Sequence, residues 1–162
     1  MIRQCNQNDT KRIYFIVNEA ARAYEGVIPA DCYHQPYMPM AELEGEMRRV
    51  TFFGWEDSGE LVGIMGLEPV KDVSLIRHAY VLLPRQQSGI GSKLLQHILN
   101  TATTTRILVG TWADAWWAVD FYKKHGFRLM SDKDELLNTY WDVPQRQIDT
   151  SVVLGIQTAK RR

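Results

Sequence analysis

An apolar strand that ends in a glycine-containing turn and continues directly into an amphipathic helix is the feature that most constrains this chain. The stretch runs from Val81 to Leu95, and its turn reads Gln86-Gln87-Ser88-Gly89-Ile90-Gly91. Glycines let backbone N–H groups converge, and the start of a helix adds partial positive charge. The stretch therefore predicts a site for an anion, most simply a phosphate or pyrophosphate, at a strand-to-helix junction.

Length and composition predict one ordinary globular domain over residues 1–162. Hydrophobic residues make up 45% of the chain and charged residues 23%, which is enough apolar material for a core. Nineteen Lys and Arg balance nineteen Asp and Glu, so no global basic field points to nucleic acid or to a membrane surface. No apolar run is long enough to span a bilayer. We expect neither nucleic acid nor membrane as a partner.

The two cysteines, Cys5 and Cys32, lack metal-type spacing to histidine. We expect reduced thiols, no bound metal and a cytoplasmic location. Polar and charged residues interrupt the start of the chain from Arg3 onward, which is unlike a signal peptide. The basic tail Lys160-Arg161-Arg162 is interpreted as a solvated end.

Hydrophobic periodicity predicts a mixed α/β domain with the element order β-α-α-β-β-β-α-β-α-β-(α)-β. The predicted strands are Met1–Cys5, Thr51–Trp55, Leu61–Glu68, Asp72–Leu82, Ile107–Gly110, Phe127–Met130 and Thr150–Ile156. The predicted helices are one capped by Asn8-Asp9-Thr10 and running to Tyr24, then Ala41–Arg49, Gly89–Thr101, Trp116–His125 and a short one at Asp134–Tyr140. Asp57-Ser58-Gly59-Glu60 predicts a hairpin turn.

Two motifs in this order resemble those of the GNAT superfamily of acyl-CoA-dependent N-acetyltransferases. The turn at Gln86–Gly91 is similar to that superfamily's Q/R-x-x-G-x-G/A pyrophosphate loop. About thirty residues later, the run Ala118–Phe127 (Ala-Val-Asp-Phe-Tyr-Lys-Lys-His-Gly-Phe) resembles its A-I-x-F-Y-x-x-x-G-F signature. Either motif alone is weak, because glycine turns before helices are common. Both at this spacing, with a similar element order over nearly the whole chain, carry the resemblance.

The resemblance implies a GNAT-type fold and acetyl-CoA as the acyl donor. That fold is a mixed, mostly antiparallel central sheet with helices on both faces, in which two splayed strands form the cofactor cleft. By position, the backbone of Val81 and Leu83 would hold the pantetheine arm. The pyrophosphate would be held by the loop residues Gln86, Gln87, Ser88, Gly89, Ile90, Gly91 and Ser92. A dinucleotide fold is the weaker alternative, because the motif follows an antiparallel meander.

Tyr122 is the candidate general acid. It matches the tyrosine that lies near the CoA sulfur in the superfamily, so it is also a candidate cofactor contact. A phenol suits protonation of a departing thiolate, since its ordinary pKa of about 10 lies near that of a thiol. The structural alternative is a packing tyrosine on the inner face of a helix.

No motif in the sequence identifies the general base. Glu68, at a strand end, is a candidate base through a water molecule. His78 has a suitable intrinsic pKa, but strand alternation predicts Arg77, Ala79 and Val81 on one face and His78 on the other. In the superfamily, substrate-contacting residues of this strand tend to share the face of Arg77, so His78 is interpreted as structural. Arg77 itself would hold an acidic substrate group, or else form a salt bridge.

The acceptor pocket implied by the resemblance involves Glu25 and the loop from Gly26 to Met38, with Tyr37 among its aromatic side chains. The alternative is a surface loop that packs its aromatics on the core. The acceptor itself is not specified by any motif.

The predicted function is transfer of the acetyl group of acetyl-CoA to a primary amine of a small molecule or peptide by direct attack in a ternary complex. Two departures from the superfamily pattern, Gln87 in place of a frequent glycine and Ala115 in place of an asparagine, keep a non-catalytic acyl-CoA sensor open as an alternative. An acyltransferase that uses another acyl-CoA on the same scaffold is a further alternative. A homodimer paired or swapped through Thr150–Ile156 is a further expectation from the resemblance.

Overall fold

A computed structural model describes residues 1–159, which fall into two compact units. The first contains Met1–Ala23, His34–Glu68 and Ile76–Thr101, and the second contains Tyr24–Tyr33, Pro69–Leu75 and the chain from Ala102 onward. The single domain over residues 1–162 stays a prediction. The basic tail Lys160-Arg161-Arg162 lies outside the described residues.

Seven strands and six α-helices lie within residues 1–159, and the mixed α/β prediction is confirmed. The strands are β1 (Ile2–Gln4), β2 (Thr51–Asp57), β3 (Glu60–Val70), β4 (Val73–Val81), β5 (Arg106–Trp112), β6 (Arg128–Leu129) and β7 (Ser151–Gln157). The helices are α1 (Thr10–Ala20), α2 (Met40–Arg49), α3 (Ile90–Thr101), α4 (Trp116–Lys124), α5 (Lys133–Tyr140) and α6 (Gln145–Asp149). The strand order is β1-β2-β3-β4-β5-β7-β6. The pairs β1/β2, β2/β3, β5/β7 and β6/β7 are antiparallel.

The first unit has helices on both faces of its strands. Phe52 of β2 lies in a cluster with buried residues of α1 and α2 such as Ile13, Ile16 and Leu43. The next residue, Phe53, packs edge-on against His97 of α3, with 4.6 Å between ring centroids. Because successive strand residues point to opposite faces, α1 and α2 cover one face and α3 the other.

The hairpin between β2 and β3 turns as its sequence predicts. Ser58 and Gly59 both have positive φ, 53° and 82°. A two-residue turn of this kind matches the twist of the strands it joins. It places the ends of both strands in the register Asp57 opposite Glu60.

The second unit packs α5 and α6 on β4, β5 and β7. Its buried cluster contains Val73 and Leu75 at the start of β4, with Leu108 of β5, Leu136 of α5 and Ile148 of α6. Helix α6 is absent from the predicted elements. It is only five residues long and follows Pro144, so it carries too little periodicity to be recognised.

The start of α1 differs from the prediction. A separate 3₁₀ turn, Gln7–Asp9, precedes the helix and is capped by Asn6, whose side chain accepts from the N–H of Asn8. Asp9 closes the capping box and makes no side-chain cap to α1 itself. The capping signal is therefore real, but it starts the 3₁₀ turn and not the α-helix.

Strand β7, through which the expected homodimer would pair or swap, has partners on both of its edges within this chain. Strand β7 pairs along its whole length with β5, and its other edge pairs with β6 at Leu154 and Gly155. Met130 adds a further backbone bond to the carbonyl of Val153 on that edge. The centre of β7 is thus already paired on both sides within this chain, and the homodimer stays a prediction. No helix within residues 1–159 is long and apolar enough to cross a bilayer.

Candidate functional site

The predicted anion loop begins where β4 ends. Strand β4 stops at Val81, a 3₁₀ turn follows at Leu83–Arg85, and α3 begins at Ile90. The first bond of the helical ladder runs from the N–H of Lys93 to the carbonyl of Gly89, at 3.0 Å. The amides of Ile90 and Gly91 therefore have no helical acceptor and lie at the positive end of the helix dipole.

The loop has open space beside its glycine. Gly89 has φ +85°, and a Cβ built there would meet no atom within 4 Å. Two contacts hold the start of the loop. Arg85 forms an ion pair with Asp57 at the end of β2, and Ser88 Oγ donates a hydrogen bond to the carbonyl of Arg85. A helix N-terminus with open space beside it fits an anionic group such as a pyrophosphate.

Gln87 occupies the position where the superfamily often has glycine, and the backbone shows why glycine is favoured. Its φ is +64°, in the left-handed region, and the residue is exposed. A residue with a Cβ pays a conformational cost of about 1 kcal/mol there. The side chain points outward, so the departure strains the turn without filling the space beside Gly89.

Gln87→Gly is therefore expected to stabilise the protein by about 1 kcal/mol, since the left-handed conformation carries no Cβ penalty for glycine. Chemical denaturation of both proteins measures this difference. The matched control is Gln86→Gly, where φ is −67° and the Gln side chain bonds to Val81, so that variant is expected to be destabilised. A loss of stability in Gln87→Gly would contradict the expectation.

At the end of β4, one backbone edge points away from β3. The N–H of Leu82 donates to the carbonyl of Val62 on β3, at 2.9 Å. Alternation then directs the N–H and C=O of Val81 away from β3. That carbonyl accepts from Gln86 Nε2 at 3.0 Å. Leu83 differs from its prediction, because it lies in the 3₁₀ turn and its carbonyl accepts from the Gln86 N–H, so Val81 alone presents a strand backbone.

A cluster of buried ion pairs lies upstream on β4. Arg77 donates to Glu68 Oε1 at 2.8 Å and to Glu46 Oε1 at 3.1 Å. Arg49 lies 2.9 Å from Glu46 Oε2 and 3.4 Å from Glu68 Oε2. The side chains of Arg77, Glu46 and Glu68 are only 18%, 8% and 12% exposed. These ion pairs are the salt-bridge alternative for Arg77. They also occupy both carboxylate oxygens of Glu68, the candidate base. The substrate-binding role of Arg77 and the base role of Glu68 stay predictions.

Glu46 is the member of this cluster that the sequence analysis missed. Burial by itself would raise its pKa, but the neighbouring His78 and the charges of Arg77 and Arg49 outweigh burial and lower that pKa to about 2. A signal was present in the sequence: Glu46 follows Leu43 by three residues, on the apolar face of α2. A carboxylate at a core position of a helix requires buried partners.

His78 overturns the predicted alternation of β4. Its φ is +55°, a left-handed conformation inside a strand. The ring stacks on Phe52, and its Nε2 lies 3.6 Å from Glu46 Oε1, the same oxygen that Arg77 contacts. Two consecutive residues therefore reach one carboxylate, because the twisted backbone interrupts the two-residue period. The prediction that Arg77 and His78 face opposite sides is wrong.

Gly66 on β3 accommodates this part of β4. A Cβ at Gly66 would lie 2.7 Å from the carbonyl oxygen of Arg77 and 2.5 Å from Val50. Only glycine permits so close a backbone approach.

Tyr122 is buried in the second unit. It is the buried residue of α4, with 4% exposure, and its ring packs edge-on against Phe121 and Phe127. Helix α4 ends at Gly126, whose φ of +92° turns the chain so that the N–H of Phe127 bonds back to the Tyr122 carbonyl. Burial, and after it the neighbouring Tyr24, raises the pKa of Tyr122. The hydroxyl therefore stays protonated at neutral pH and is a weaker acid than an ordinary phenol.

The predicted acceptor residues fall in different units. Glu25 is exposed in the second unit, next to Tyr24, whose ring stacks on Trp117 at 6.0 Å. Tyr37 belongs to the first unit, where it packs against the α1–α2 cluster and stacks on His34. Part of the aromatic loop thus packs on the core, as the structural alternative predicts.

Residues 48–129, just over half of the chain, match the family described as acetyltransferase (GNAT) domain. The chain belongs to the GNAT acetyltransferase family. It is an acyltransferase by that membership, and the strand-end loop and Tyr122 both lie within the matched residues. No protein of curated function matches the sequence.

Solved structures of GNAT enzymes share the fold over nearly the full length. A GNAT-family acetyltransferase from Staphylococcus aureus superposes with a TM-score of 0.76 at 18% identity, covering 98% of this chain and 99% of that one. The PaiA N-acetyltransferase of Thermoplasma acidophilum, solved with coenzyme A, gives 0.74 at 15% identity, covering 97% and 98%. The ribosomal-protein-S18-alanine N-acetyltransferase of Escherichia coli gives 0.73 at 15% identity, covering 100% and 96%.

Proposed function

We propose that this GNAT protein transfers the acetyl group of acetyl-CoA to a primary amine of a small molecule or peptide by direct attack in a ternary complex. The observation that carries the proposal is the loop from Gln86 to Ser92, where helix-start amides stand beside the open side of Gly89. An acyl donor with a pyrophosphate matches these amides in charge.

Each proposed role rests on a feature of one residue. The outward N–H of Val81 suits the pantetheine arm or the oxyanion that forms as the amine attacks the thioester carbonyl. Tyr122 would donate its hydroxyl proton to the thiolate as the carbon–sulfur bond breaks. The amine must lose a proton before attack, so the reaction also needs a proton acceptor.

A non-catalytic acyl-CoA sensor is the second candidate, and Ala115 is the observation that favours it. Ala115 stands at the N-cap of α4, fully buried and without a side-chain cap. The pattern's asparagine would offer a polar side chain there that this chain lacks. Tyr122, retained in its signature, favours the enzyme.

Thermal melting with acetyl-CoA, CoA, a longer acyl-CoA and NAD tests the donor. A ligand at 100 times its Kd stabilises the folded form by about 2.7 kcal/mol, which corresponds to a rise in Tm of roughly 5–10 °C for a chain of this size. We expect that rise with acetyl-CoA and none with NAD.

Release of CoA thiol in a screen of primary amines then separates the enzyme from the sensor. The enzyme releases thiol only when an acceptor is present, whereas a sensor binds acetyl-CoA and releases none. No shift with any CoA species, in folded protein, would withdraw the proposal.

A further inference from the structure

A cavity of about 290 Å³ lies in the first unit, where the chain after β1 turns away from β2. The N–H of Cys5 still bonds to the carbonyl of Phe52, at 2.8 Å, but Asn6 caps the 3₁₀ turn that follows. Small-molecule sites typically measure about 300–1,000 Å³, so a ligand of this cavity is small. The lining residues are 4–7, from the end of β1 and the turn, and 47–52, from the end of α2 and the start of β2.

The walls of the cavity are held together by the start of α1. Thr10, the first residue of that helix, has its Oγ1 2.8 Å from the carbonyl of Gln7 and 3.2 Å from Met47 Sδ. Gln7 lies on one wall and Met47 on the other. A site whose walls are already fixed loses little conformational freedom when a ligand binds.

One wall carries a cation that has no counter-ion. Arg48 lines the cavity and is exposed, and its side chain makes no hydrogen bond or ion pair within residues 1–159. The next residue, Arg49, is already paired with Glu46 and Glu68. The residues that line the cavity in the described part of the chain include no Asp or Glu. An unpaired guanidinium of this kind can bind a carboxylate through two parallel hydrogen bonds.

The same wall carries backbone acceptors for a cation. Helix α2 ends at Arg49, and the carbonyl of Glu46 accepts from the N–H of Val50 at 2.8 Å. The carbonyls of Met47, Arg48 and Arg49 come later in the last turn and have no helical partner. They form the negative end of the helix dipole, which attracts a positively charged group such as an ammonium.

We propose that this cavity binds a free α-amino acid, with its carboxylate on Arg48 and its ammonium at the carbonyls that end α2. An α-amino acid carries both charges on one carbon, which matches an unpaired cation next to unpartnered acceptors. Gln4 and Gln7, both exposed, offer side-chain amides to a small polar side chain. The site is separate from the one in the proposed function, because its lining includes neither the loop after β4 nor α4.

Calorimetric titration of the wild-type protein with L-serine, L-asparagine and L-glutamine, without acetyl-CoA, tests the proposal. Two analogues of each amino acid separate the charges: the N-acetyl derivative lacks the ammonium, and the amino-acid amide lacks the carboxylate. We expect saturable binding of at least one amino acid and a Kd at least about tenfold weaker for each of its analogues. No saturable binding of any of the three at millimolar concentrations would overturn the proposal, as would equal affinity for either analogue.

Arg48→Gln distinguishes this cavity from any other place where an amino acid binds, including the proposed acceptor pocket. The side chain of Arg48 is exposed and has no partner within the described residues, so the variant should fold with an unchanged Tm, which circular dichroism and melting verify. We expect its Kd to rise about 10- to 100-fold, as for loss of a charge-assisted hydrogen bond. Arg48→Lys keeps the charge without the planar fork and should recover part of the affinity.

Arg22→Gln is the matched control. It removes the same charge from an exposed arginine of the first unit, which pairs with Glu19 and does not line the cavity. Its Kd should equal that of wild type. Wild-type affinity in Arg48→Gln, or equal weakening in Arg22→Gln, would overturn the proposal.

The two proposals fail separately. Binding of an amino acid through Arg48 is measured without acetyl-CoA, and release of CoA thiol is measured in the amine screen. A protein that shows the first and not the second would lose the proposed acetyl transfer and keep the amino-acid site.

Discussion

Replacing Tyr122 with phenylalanine is expected to lower kcat between about 100- and 10,000-fold, the range for loss of a positioned proton donor, while the Kd for CoA stays unchanged. The hydroxyl is all that the variant removes. The ring packs between Phe121 and Phe127 with 4% exposure, and phenylalanine preserves those contacts. Steady-state kinetics and calorimetric titration with CoA measure the two quantities.

The matched control for this variant is Tyr140→Phe. Its hydroxyl donates to Asp72 at 2.7 Å in an exposed pair of the same unit, so its loss should leave turnover unchanged. Because burial raises the pKa of Tyr122, the hydroxyl should remain protonated through neutral pH and contribute no basic limb there. Equal turnover in Tyr122→Phe and wild type would show that Tyr122 only packs.

Arg77→Met is expected to destabilise the protein by about 3–5 kcal/mol, because it leaves buried carboxylates without their main counter-ion. Arg77 bonds to both Glu46 and Glu68, whose side chains are 8% and 12% exposed. Arg49, the remaining cation, is 57% exposed and compensates only partly. Urea denaturation at pH 7 measures the loss.

The control for this variant is Arg146→Met. Arg146 makes an equally well-formed bidentate pair with Asp31, but both side chains are more than half exposed. An exposed pair contributes at most about 1 kcal/mol. Similar losses in the two variants would show that burial does not give the Arg77 cluster its strength.

Acid should weaken the same cluster in the wild-type protein. The pKa of Glu46 lies at about 2 in the folded state, below its ordinary value of 4.5. Its stabilisation, about 3 kcal/mol, is therefore fully present above pH 4.5 and is lost as the pH falls through 2. The stability difference between wild type and Glu46→Gln should shrink over that window, and a constant difference would contradict the assignment.

Local sequence signals predicted the loop and most elements well, for physical reasons that act over a few residues. Gly89 and the apolar face of α3 specify a turn followed by a helix, and Ser58-Gly59 specifies its hairpin. The candidate proton donor Tyr122 could also be found from the sequence, because it lies within one short motif of consecutive residues. Element boundaries agree to within one or two residues at α2, α3 and β7.

What the sequence could not supply came from contacts between distant segments. The partners of Arg77 lie 31 and 9 residues away, on α2 and β3, and no local pattern pairs them. The left-handed backbone of His78 is equally invisible, because a regular two-residue period is the only expectation that a strand pattern supports.

By itself the sequence predicted an α/β protein with an anion loop at the end of β4, since glycine conformation, helix dipole and short-range periodicity are properties of neighbouring residues. Two short motifs added the resemblance to the GNAT superfamily. Only the tertiary structure decided which side chains form the buried charge cluster. It turned His78 towards Glu46 and tied Arg77 to two carboxylates, because buried charges must find their partners wherever packing places them.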